Sequence, residues 1–524
     1  LRDKTEQFLN GQLTLNDFTD GLKRFDEDIK DGEEVFEEEK EFLTHALRTD
    51  EEIAVIFAKI SRNPGSFDEI ARSVTEEGAA QFHKRWTVSV EGYGHASVAE
   101  HAIIHMAVEN VPSLDGDWVT DNRLGSYTEF SARFKGRQGL GYFIPEQVSK
   151  DPRLLRRWHE VHQRLFATYE ELMAKGLSYI ETDEAKEKWP ERKITSKTVA
   201  DQFKDLMPAS RLTSIGVTMN AREAENTIRK MFSSPYTSVR QLGALLKEQS
   251  LGVAPTLVRY AEANEYMTAA RRGLAAIVKD QRYQGHIPPF EEEKDKLVDL
   301  IEADGNADNK FIAAALYNDP KVGSYRDTLS MLSGLDGGAK YQILYELLGR
   351  LGKWDVPIRA LEMPGDYVVE FPGMTYGVWR EYKRHRMQSY QIKDLDVRWG
   401  YMIPPLAREM DDSKDHQFHG CVDSIREALQ KVEDLFAQVS KVDPYAAHYT
   451  VTRLHYRPAI AKFNVREAYH LIDLRTGPNA HPYIRRLMWP LFDQICKVQP
   501  MLMDYLRLRM AQKDRPDRNS PWSF

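Results

Sequence analysis

An internal duplication constrains the fold of this 524-residue chain more than any other feature of its sequence. Four short phrases recur in the same order, separated by slowly drifting offsets such as 263 residues (384 − 121). Chance similarity between helical segments could explain the two N-terminal pairs alone, but four ordered pairs indicate a duplication with insertions and deletions. The matched pairs are residues 63–67 with 321–325, 78–82 with 338–342, 121–127 with 384–390, and 220–224 with 464–468.

The duplication predicts a chain of two tandem domains. Copy one is expected at residues 42–275 and copy two at 298–512, joined by a connector at 276–297. Residues 1–41 form an acidic stretch of helical pattern that we interpret as an N-terminal extension, and 513–524 as a loose tail. Asn63-Pro64-Gly65 predicts a turn, with Ser66 or Asp68 as the cap of the next helix.

Charge and cysteine content narrow the classes of function. The net charge of −8 argues against a general nucleic-acid-binding protein, so local basic clusters are interpreted as sites for small anions. No run of about 18 apolar residues is present to cross a membrane, and the first residues do not resemble a signal peptide. The two cysteines, Cys421 and Cys496, lack metal-ligand spacing, which predicts reduced thiols in the cytoplasm and no metal site.

The most basic phrase of the chain, Lys383–Arg386, lies in copy two. Arg384 and Arg386 flank His385, and two guanidinium groups so close together suit an anion with several acceptors, such as a phosphate or a flavin ring. Surface ion pairs, with Asp394 and Asp396 as nearby partners, are the alternative. His385 could equally be a structural histidine, and Ser389 has no adjacent base that would make it a nucleophile.

In copy one, Glu129, Ser131 and Arg133 alternate, so an extended segment would present them on one face. Such a face could bind a nucleotide, or it could be the polar outer face of a strand. His95, Ser97 and Glu100 could mark a helix start that accepts a phosphate, or an ordinary capping box.

Arg384-His385-Arg386, with Ser389 three residues later, resembles the signature of flavin-dependent thymidylate synthases. In that family the signature continues through Glu to Ser-x-Arg-Tyr, and copy one resembles this second half at Glu129, Ser131 and Arg133. The resemblance places Arg384, Arg386, Ser389 and Arg133 at the reaction centre.

Each copy departs from the signature where the other retains it. Copy one has Asp121-Asn122-Arg123 in place of Arg-His-Arg, and copy two has Ile392, Asp394 and Asp396 in place of Glu, Ser and Arg. Because the losses complement each other, we expect one composite site to which both copies contribute.

Other segments of both copies are similar to the cofactor- and substrate-binding segments of the family. Lys204 stands where the family has a phosphate-binding Arg. The cofactor-binding residues that the resemblance implies are His95, Ser97, Glu100, Asn220, Arg222, Asn226, Arg384, His385, Arg386, Asn464, Arg466 and His470. The substrate-binding residues that it implies are Glu129, Ser131, Arg133, Lys204 and Arg475.

The resemblance implies an α+β fold in which each copy packs helices on a small, mostly antiparallel sheet, and the two copies form a pseudodimer. It also implies FAD as the cofactor, dUMP as the substrate, and methylene-tetrahydrofolate and NADPH as co-substrates, in a homodimer of tandem chains. Two alternatives remain open at this stage: flavin-dependent modification of another pyrimidine nucleotide, and a non-catalytic protein that binds flavin or nucleotide.

Overall fold

The computed structural model describes residues 49–88, 94–130, 141–188, 196–280, 285, 288–291, 294–352, 355–477 and 480–510. The predicted N-terminal extension, the predicted tail, Ser131 and Arg133 lie outside these residues. Among the residues described, no helix combines the length and the apolar character needed to cross a membrane.

Copy one contains a three-stranded antiparallel sheet with helices around it, and its strand order is β1-β3-β2. Short 3₁₀ or π-helical turns occupy His83–Thr87, Ala96–His101 and Lys204–Leu206. Its elements in chain order are α1 (Asp50–Ile60), α2 (Phe67–Arg72), α3 (Glu76–Phe82), β1 (Ile103–Pro112), α4 (Ser113–Thr120), β2 (Ser126–Glu129), α5 (Glu146–Ser149), α6 (Pro152–Tyr179), α7 (Asp183–Lys188), α8 (Ser196–Phe203), β3 (Leu212–Asn220), α9 (Ala221–Phe232), α10 (Thr237–Leu251) and α11 (Glu265–Val278).

Copy two repeats this arrangement and adds one edge strand. Its antiparallel sheet has the order β4-β5-β7-β6, in which the last three strands correspond to β1, β3 and β2. Its elements are β4 (Asp299–Glu302), α12 (Ala307–Leu316), α13 (Tyr325–Ser333), α14 (Gly337–Leu344), β5 (Tyr367–Phe371), α15 (Tyr376–Tyr382), β6 (Ser389–Ile392), α16 (Pro405–Asp411), α17 (Cys421–Ser440), α18 (Pro444–Ala447), β7 (Ala459–Phe463), α19 (Val465–Thr476), α20 (Pro482–Val498) and α21 (Pro500–Met510). Short turns occupy Tyr345–Gly349, Arg359–Glu362, Val397–Trp399, His416–Phe418 and His448–Thr450. The prediction of an α+β fold in two tandem copies is confirmed.

The repeated phrases form equivalent local structures in the two copies. Ser66 caps α2 in a full capping box with Glu69, and Ser324 caps α13 by accepting a bond from the amide of Asp327. Asn220 caps α9 and Asn464 caps α19 in the same way, each accepting a bond from the amide three residues later. The two copies therefore share individual helix-capping hydrogen bonds as well as their overall arrangement.

The two copies share one hydrophobic core, and a separate small cluster packs α1, α2 and α3 together. Backbone hydrogen bonds join the segments that precede β3 and β7: Ala209 donates to Val451 at 2.8 Å, and Leu454 donates to Asp205 at 2.8 Å. The long helices α6 and α17 pack against each other near this junction. The copies therefore form one body, and the ends of β2, α4 and α15 lie where they meet.

Candidate functional site

The duplicated phrases of the two copies bind each other across the junction. Arg123 donates to the backbone oxygen of Gln388 at 2.7 Å and to the Ser389 hydroxyl at 2.9 Å. Arg386, at the position equivalent to Arg123, donates in return to the backbone oxygens of Arg123 and Gly125. Exchanging the two copies exchanges the Arg123–Gln388 contact with the Arg386–Gly125 contact, so the signature segments meet at the pseudosymmetry axis.

Beside this axis lies a cross-copy charge cluster, which we define as Asp117 and Glu129 of copy one with Arg380, Lys383 and Arg384 of copy two. Glu129 ends β2 and accepts two guanidinium groups, from Arg380 at 2.8 Å and from Arg384 at 3.2 Å. Arg380 lies in α15 and Arg384 lies one turn further on, so both reach the same carboxylate.

Burial would raise the pKa of Glu129, but Arg380, Lys383 and Arg384 outweigh burial and lower it to about 2. The Glu129 carboxylate is therefore ionised at every physiological pH. Only one of its two guanidinium partners is accessible: the Arg380 side chain is 9% exposed, whereas that of Arg384 is 51% exposed. Arg384 can therefore turn toward a ligand while Arg380 continues to neutralise Glu129.

Asp117 occupies the position in copy one that Arg380 occupies in copy two, so the charges are reversed at equivalent sites. Lys383 donates to Asp117 at 2.5 Å and to the Thr120 hydroxyl at 2.6 Å, and Arg380 lies 3.6 Å from Asp117. Burial opposes ionisation of Asp117, but Lys383 and Arg380 together lower its pKa. Charge reversal at equivalent positions allows the copies to attract each other where identical copies would repel.

His385 is buried between a carboxylate and a guanidinium group. Its Nδ1 lies 3.0 Å from Glu467, and its Nε2 accepts a hydrogen bond from Arg475 Nε at 2.9 Å. Nδ1 therefore carries the proton and donates to Glu467. Burial, and then Arg475, lower the pKa of His385, although the bond to Glu467 opposes this shift. With both ring nitrogens engaged, His385 positions Arg475, whose guanidinium group also lies 3.4 Å from Glu381.

Two buried arginines that the sequence reasoning missed converge on Ser113, close to the charge cluster. Arg453 donates to the Ser113 hydroxyl at 2.9 Å, Arg380 donates to the Ser113 backbone oxygen at 3.1 Å, and Arg211 accepts the Ser113 amide through its own backbone oxygen at 2.9 Å. The Nε atoms of Arg211 and Arg453 are buried and have no hydrogen-bond partner among the described residues. Burial and the nearby Arg453 lower the pKa of Arg211 to about 10.

Three of the six copy-two residues assigned to the cofactor line a cleft of about 300 Å³. Asn464, Arg466 and His470 all face this cleft, together with apolar side chains that include Met387 and Pro357. Arg466 already binds Glu362 at 2.6 Å and the Pro357 backbone oxygen at 3.1 Å.

The equivalent residues of copy one are arranged differently. Arg222 forms an ion pair with Glu100. His95, Ser97 and Glu100 lie at a 3₁₀ turn without a side-chain cap, so the capping-box alternative is wrong. Lys204 is buried and paired with Asp201 at 2.7 Å, which satisfies its charge within copy one.

Three further predicted residues, Arg386, Ser389 and Asn226, line a larger cleft of about 640 Å³ on the opposite side of the pseudosymmetry axis. We call this the second cleft. Arg384 is ion-paired, but with Glu129 and Glu381, so the predicted partners Asp394 and Asp396 are wrong. Asp396 instead binds Arg398 at 2.6 Å.

One missed residue, Arg380, had a signal in the sequence. It precedes Arg384 by four residues, the spacing at which helical side chains share a face. Arg211 and Arg453 had a weaker signal, because Ser210-Arg211-Leu212 recurs as Thr452-Arg453-Leu454, but only the backbone junction between the copies brings the two arginines together. In the part of the chain that the structure describes, no group of three or more His, Cys, Asp or Glu side chains is placed to hold a metal ion.

Two matched antiparallel sheets, with one Arg-His-Arg motif at their junction, define a tandem protein of the flavin-dependent thymidylate synthase class. Comparison with known families agrees, because the family described as thymidylate synthase complementing protein matches residues 42–256 and again 300–501. The chain belongs to this family and carries its domain twice.

Two relatives match this chain over most of the length of both proteins. A UPF0159 protein of Thermoplasma acidophilum is 23% identical over 452 residues, covering 79% of this chain and 86% of the relative, and a UPF0159 protein of Chlamydia muridarum is 24% identical over 457 residues, covering 82% and 81%. The flavin-dependent thymidylate synthase of Clostridium tetani is 25% identical over 211 residues, covering 40% of this chain and 81% of that enzyme. A crystal structure of thymidylate synthase X from Helicobacter pylori with FAD and dUMP is 18% identical and covers 40% of this chain and 99% of that chain, with a TM-score of 0.28.

Proposed function

We propose that this chain is a flavin-dependent methyltransferase of the thymidylate synthase type, with one composite site between its two copies. The observation that carries the proposal is the 3.2 Å ion pair between Glu129 of copy one and Arg384 of copy two. Glu129 leads into the segment that contains Ser131 and Arg133, and Arg384 begins the Arg-His-Arg motif. The two retained halves of the family signature thus have a point of contact within a single chain.

The substrate that we propose is dUMP. Arg384 is half exposed and can bind an anionic or carbonyl group, while Arg211 and Arg453 add buried positive charge nearby. Such fixed cations suit the phosphate of a nucleotide and the negative charge that develops on a pyrimidine carbonyl. Arg475, held by His385, supplies a further cation beside Arg384.

The cofactor that we propose is FAD, in keeping with relatives named flavin-dependent thymidylate synthases. The cleft lined by Asn464, Arg466 and His470 offers cationic and amide groups next to the apolar side chains of Met387 and Pro357, a mixture that fits a ring-bearing diphosphate. FAD would supply the redox chemistry and carry the one-carbon unit from methylene-tetrahydrofolate, with NADPH as the reductant. The protein's own part is to bind the nucleotide, to orient it and to polarise its ring.

We further propose that two chains associate. Active sites of the family lie between subunits of a homotetramer, and a homodimer of tandem chains would reproduce that arrangement. Light scattering on the purified protein would give a mass of twice 60.5 kDa if the proposal is right.

The direct test incubates the full-length protein with FAD, NADPH, dUMP and methylene-tetrahydrofolate labelled with ¹³C in the one-carbon unit. We expect labelled dTMP, detected by mass spectrometry, and a loss of about 100-fold in kcat/KM in Arg384→Met, because a positioned cation is removed from the reaction centre. Arg398→Met is the matched control, because Arg398 is an exposed arginine of copy two that pairs with Asp396 away from the cluster.

Labelled product from dCMP or UMP, with none from dUMP, would favour the alternative pyrimidine. Protein that binds FAD but turns over none of these nucleotides would contradict the proposed activity. Equal losses in Arg384→Met and Arg398→Met would contradict the proposed site.

A further inference from the structure

A cavity of about 310 Å³ lies between the two copies, and it shares no lining residue with the two clefts described above. Its walls come from the segments 143–149 and 236–241 of copy one and from the segment 443–449 of copy two. We call it the junction cavity. The proposed reaction gives this cavity no role, although its size is that of a site for a small molecule.

Four aromatic side chains line the junction cavity: Phe143, Tyr236, Tyr445 and Tyr449. The ring centroids of Phe143 and Tyr449 are 5.0 Å apart, with the ring planes at 58°. The Tyr236 ring lies 5.3 Å from that of Tyr445 at 69° and 6.0 Å from that of Tyr449 at 86°. Because none of these pairs is stacked face to face, the rings form adjoining walls of different orientation.

The hydroxyl groups of the two buried tyrosines already have partners. The Tyr449 hydroxyl donates to the buried Asp115 at 2.5 Å and lies 2.6 Å from the Ser238 hydroxyl. The Tyr236 hydroxyl lies 2.6 Å from Nδ1 of His448. A ligand in this cavity therefore gains little from hydrogen bonds to these hydroxyls, and the rings and the local charge must provide most of its recognition.

The charge around the junction cavity is negative. The described residues that line it include no lysine, arginine or histidine, whereas they include Glu146 and Asp443. Glu146 is exposed and pairs with Lys150 at 2.5 Å. Asp443 accepts two backbone amides of α18 at 2.8 and 3.2 Å, and it forms no salt bridge within the described part of the chain. Burial lowers the pKa of His448, so this neighbour adds no positive charge at neutral pH.

Three of the four rings have no aromatic counterpart in the other copy. The corresponding pairs are Tyr445 with Asp201 and Tyr449 with Asp205, at an offset of 244 residues (449 − 205), and Phe143 with Met402, at an offset of 259 (402 − 143). Rings that only the shared fold required would be expected in both copies. The aromatic walls are therefore specific to this side of the pseudosymmetry axis.

We propose that the junction cavity binds a quaternary ammonium ion, such as the trimethylammonium group of a small molecule. A cation beside several aromatic rings is attracted by the negative face of each ring, and a quaternary nitrogen carries no N–H donor that would need a free acceptor. Asp443 adds an opposite charge that no described cation neutralises. This assignment does not depend on the proposed function.

Isothermal titration of the full-length protein with choline tests the assignment. The matched neutral probe is the dimethylbutanol in which carbon replaces the quaternary nitrogen of choline, because it keeps the shape and removes the charge. Choline should bind at least about tenfold more tightly than this alcohol, since only the cation is attracted by the rings and by Asp443. Ethanolamine, a primary ammonium ion, should bind more weakly than choline, because its N–H donors lose water without finding free acceptors.

Tyr445→Leu should weaken choline binding by about 5- to 20-fold, whereas Tyr445→Phe should change it by less than about twofold, because the ring and not the hydroxyl attracts the cation. Tyr325→Leu is the matched control, because Tyr325 is a half-buried tyrosine of α13 that does not line the cavity. Asp443→Asn should weaken the binding of choline but not of the alcohol, and asparagine still caps α18. Arg384→Met should leave choline binding unchanged.

The assignment would be overturned if choline did not bind at millimolar concentration, if the neutral alcohol bound as tightly, or if ethanolamine bound more tightly than choline. It would also be overturned if Tyr445→Leu and Tyr325→Leu bound choline with the same affinity. Thermal unfolding of each variant shows whether the protein is folded in the titration, and the comparison of the three probes needs no variant. A failure here would leave dTMP formation unaffected, and the reverse also holds.

Discussion

The two arginines on Glu129 should have opposite consequences when they are removed, because one is buried and the other is half exposed. The pKa of Glu129, about 2 rather than 4.5, corresponds to about 3 kcal/mol of favourable charge interactions, net of burial. Arg380 contributes the larger part, since it lies nearest and also binds the Ser113 backbone oxygen and faces Asp117. Arg380→Met would leave two buried carboxylates short of a partner, at a cost of about 3–5 kcal/mol.

Arg384→Met removes an exposed partner while Arg380 continues to neutralise Glu129, so its cost to stability should be about 1 kcal/mol or less. Arg384→Met should cost more in dUMP-binding free energy than in stability, because Arg384 is the accessible cation. Urea unfolding followed by circular dichroism measures the first quantity, and titration with dUMP measures the second. The reasoning would be refuted if Arg384→Met destabilised the protein as much as Arg380→Met, or if it bound dUMP as well as the wild type.

Three further predictions concern single residues of the same framework. Burial raises the pKa of Asp115 to about 7, despite hydrogen bonds from Tyr449 and Ser238. The folded state therefore holds a proton between pH 3.8 and 7 that the unfolded state releases. Asp115→Asn should stabilise the protein by up to about 4 kcal/mol above pH 7 and by nothing below pH 4. Equal effects of the substitution at pH 8 and pH 4 in urea unfolding would contradict this prediction. Because the pKa of His385 is lowered by burial, its ring should be neutral at pH 7 with the proton on Nδ1, and a ¹⁵N spectrum of an imidazolium at that pH would contradict the hydrogen bonds to Glu467 and Arg475. Gly176→Ala should destabilise the protein, because the added methyl would lie 2.7 Å from Val199 Cγ1 in a packed core, at a cost of about 1–3 kcal/mol. This cost outweighs the preference of alanine for helices, which is about 1 kcal/mol. A higher melting temperature of the variant would disprove the prediction.

The duplication was visible in the sequence because it preserves residues whose roles are local. Ser66 and Ser324, like Asn220 and Asn464, cap helices through their own side chains. The repeat can therefore be recognised in the sequence without knowledge of the fold. The division of the family signature between the copies likewise predicted that Glu129 and Arg384 would have a common neighbourhood. Ser131 and Arg133 lie outside the described residues, and their roles stay a prediction.

Other parts of the site depend on tertiary contacts that no spacing in the sequence encodes. Arg211 and Arg453 lie 242 residues apart (453 − 211) and approach each other only because the segments before β3 and β7 bind across the junction. The opposite charges at the equivalent positions Asp117 and Arg380 can be interpreted only when the two copies are seen to face each other. His385 illustrates the same limit, because the sequence left a structural role and a flavin contact equally open, and Glu467 and Arg475 occupy both of its ring nitrogens.

The claim that both copies build one nucleotide site is tested most directly by counting bound nucleotides. Titration of the FAD-loaded protein with 5-fluoro-dUMP, followed by ¹⁹F NMR, should reach one bound nucleotide per chain, and the bound signal should disappear in Glu129→Gln and in Arg384→Met alike. Two bound nucleotides per chain, or a bound signal that survives either substitution, would show that a site is completed without one of the copies.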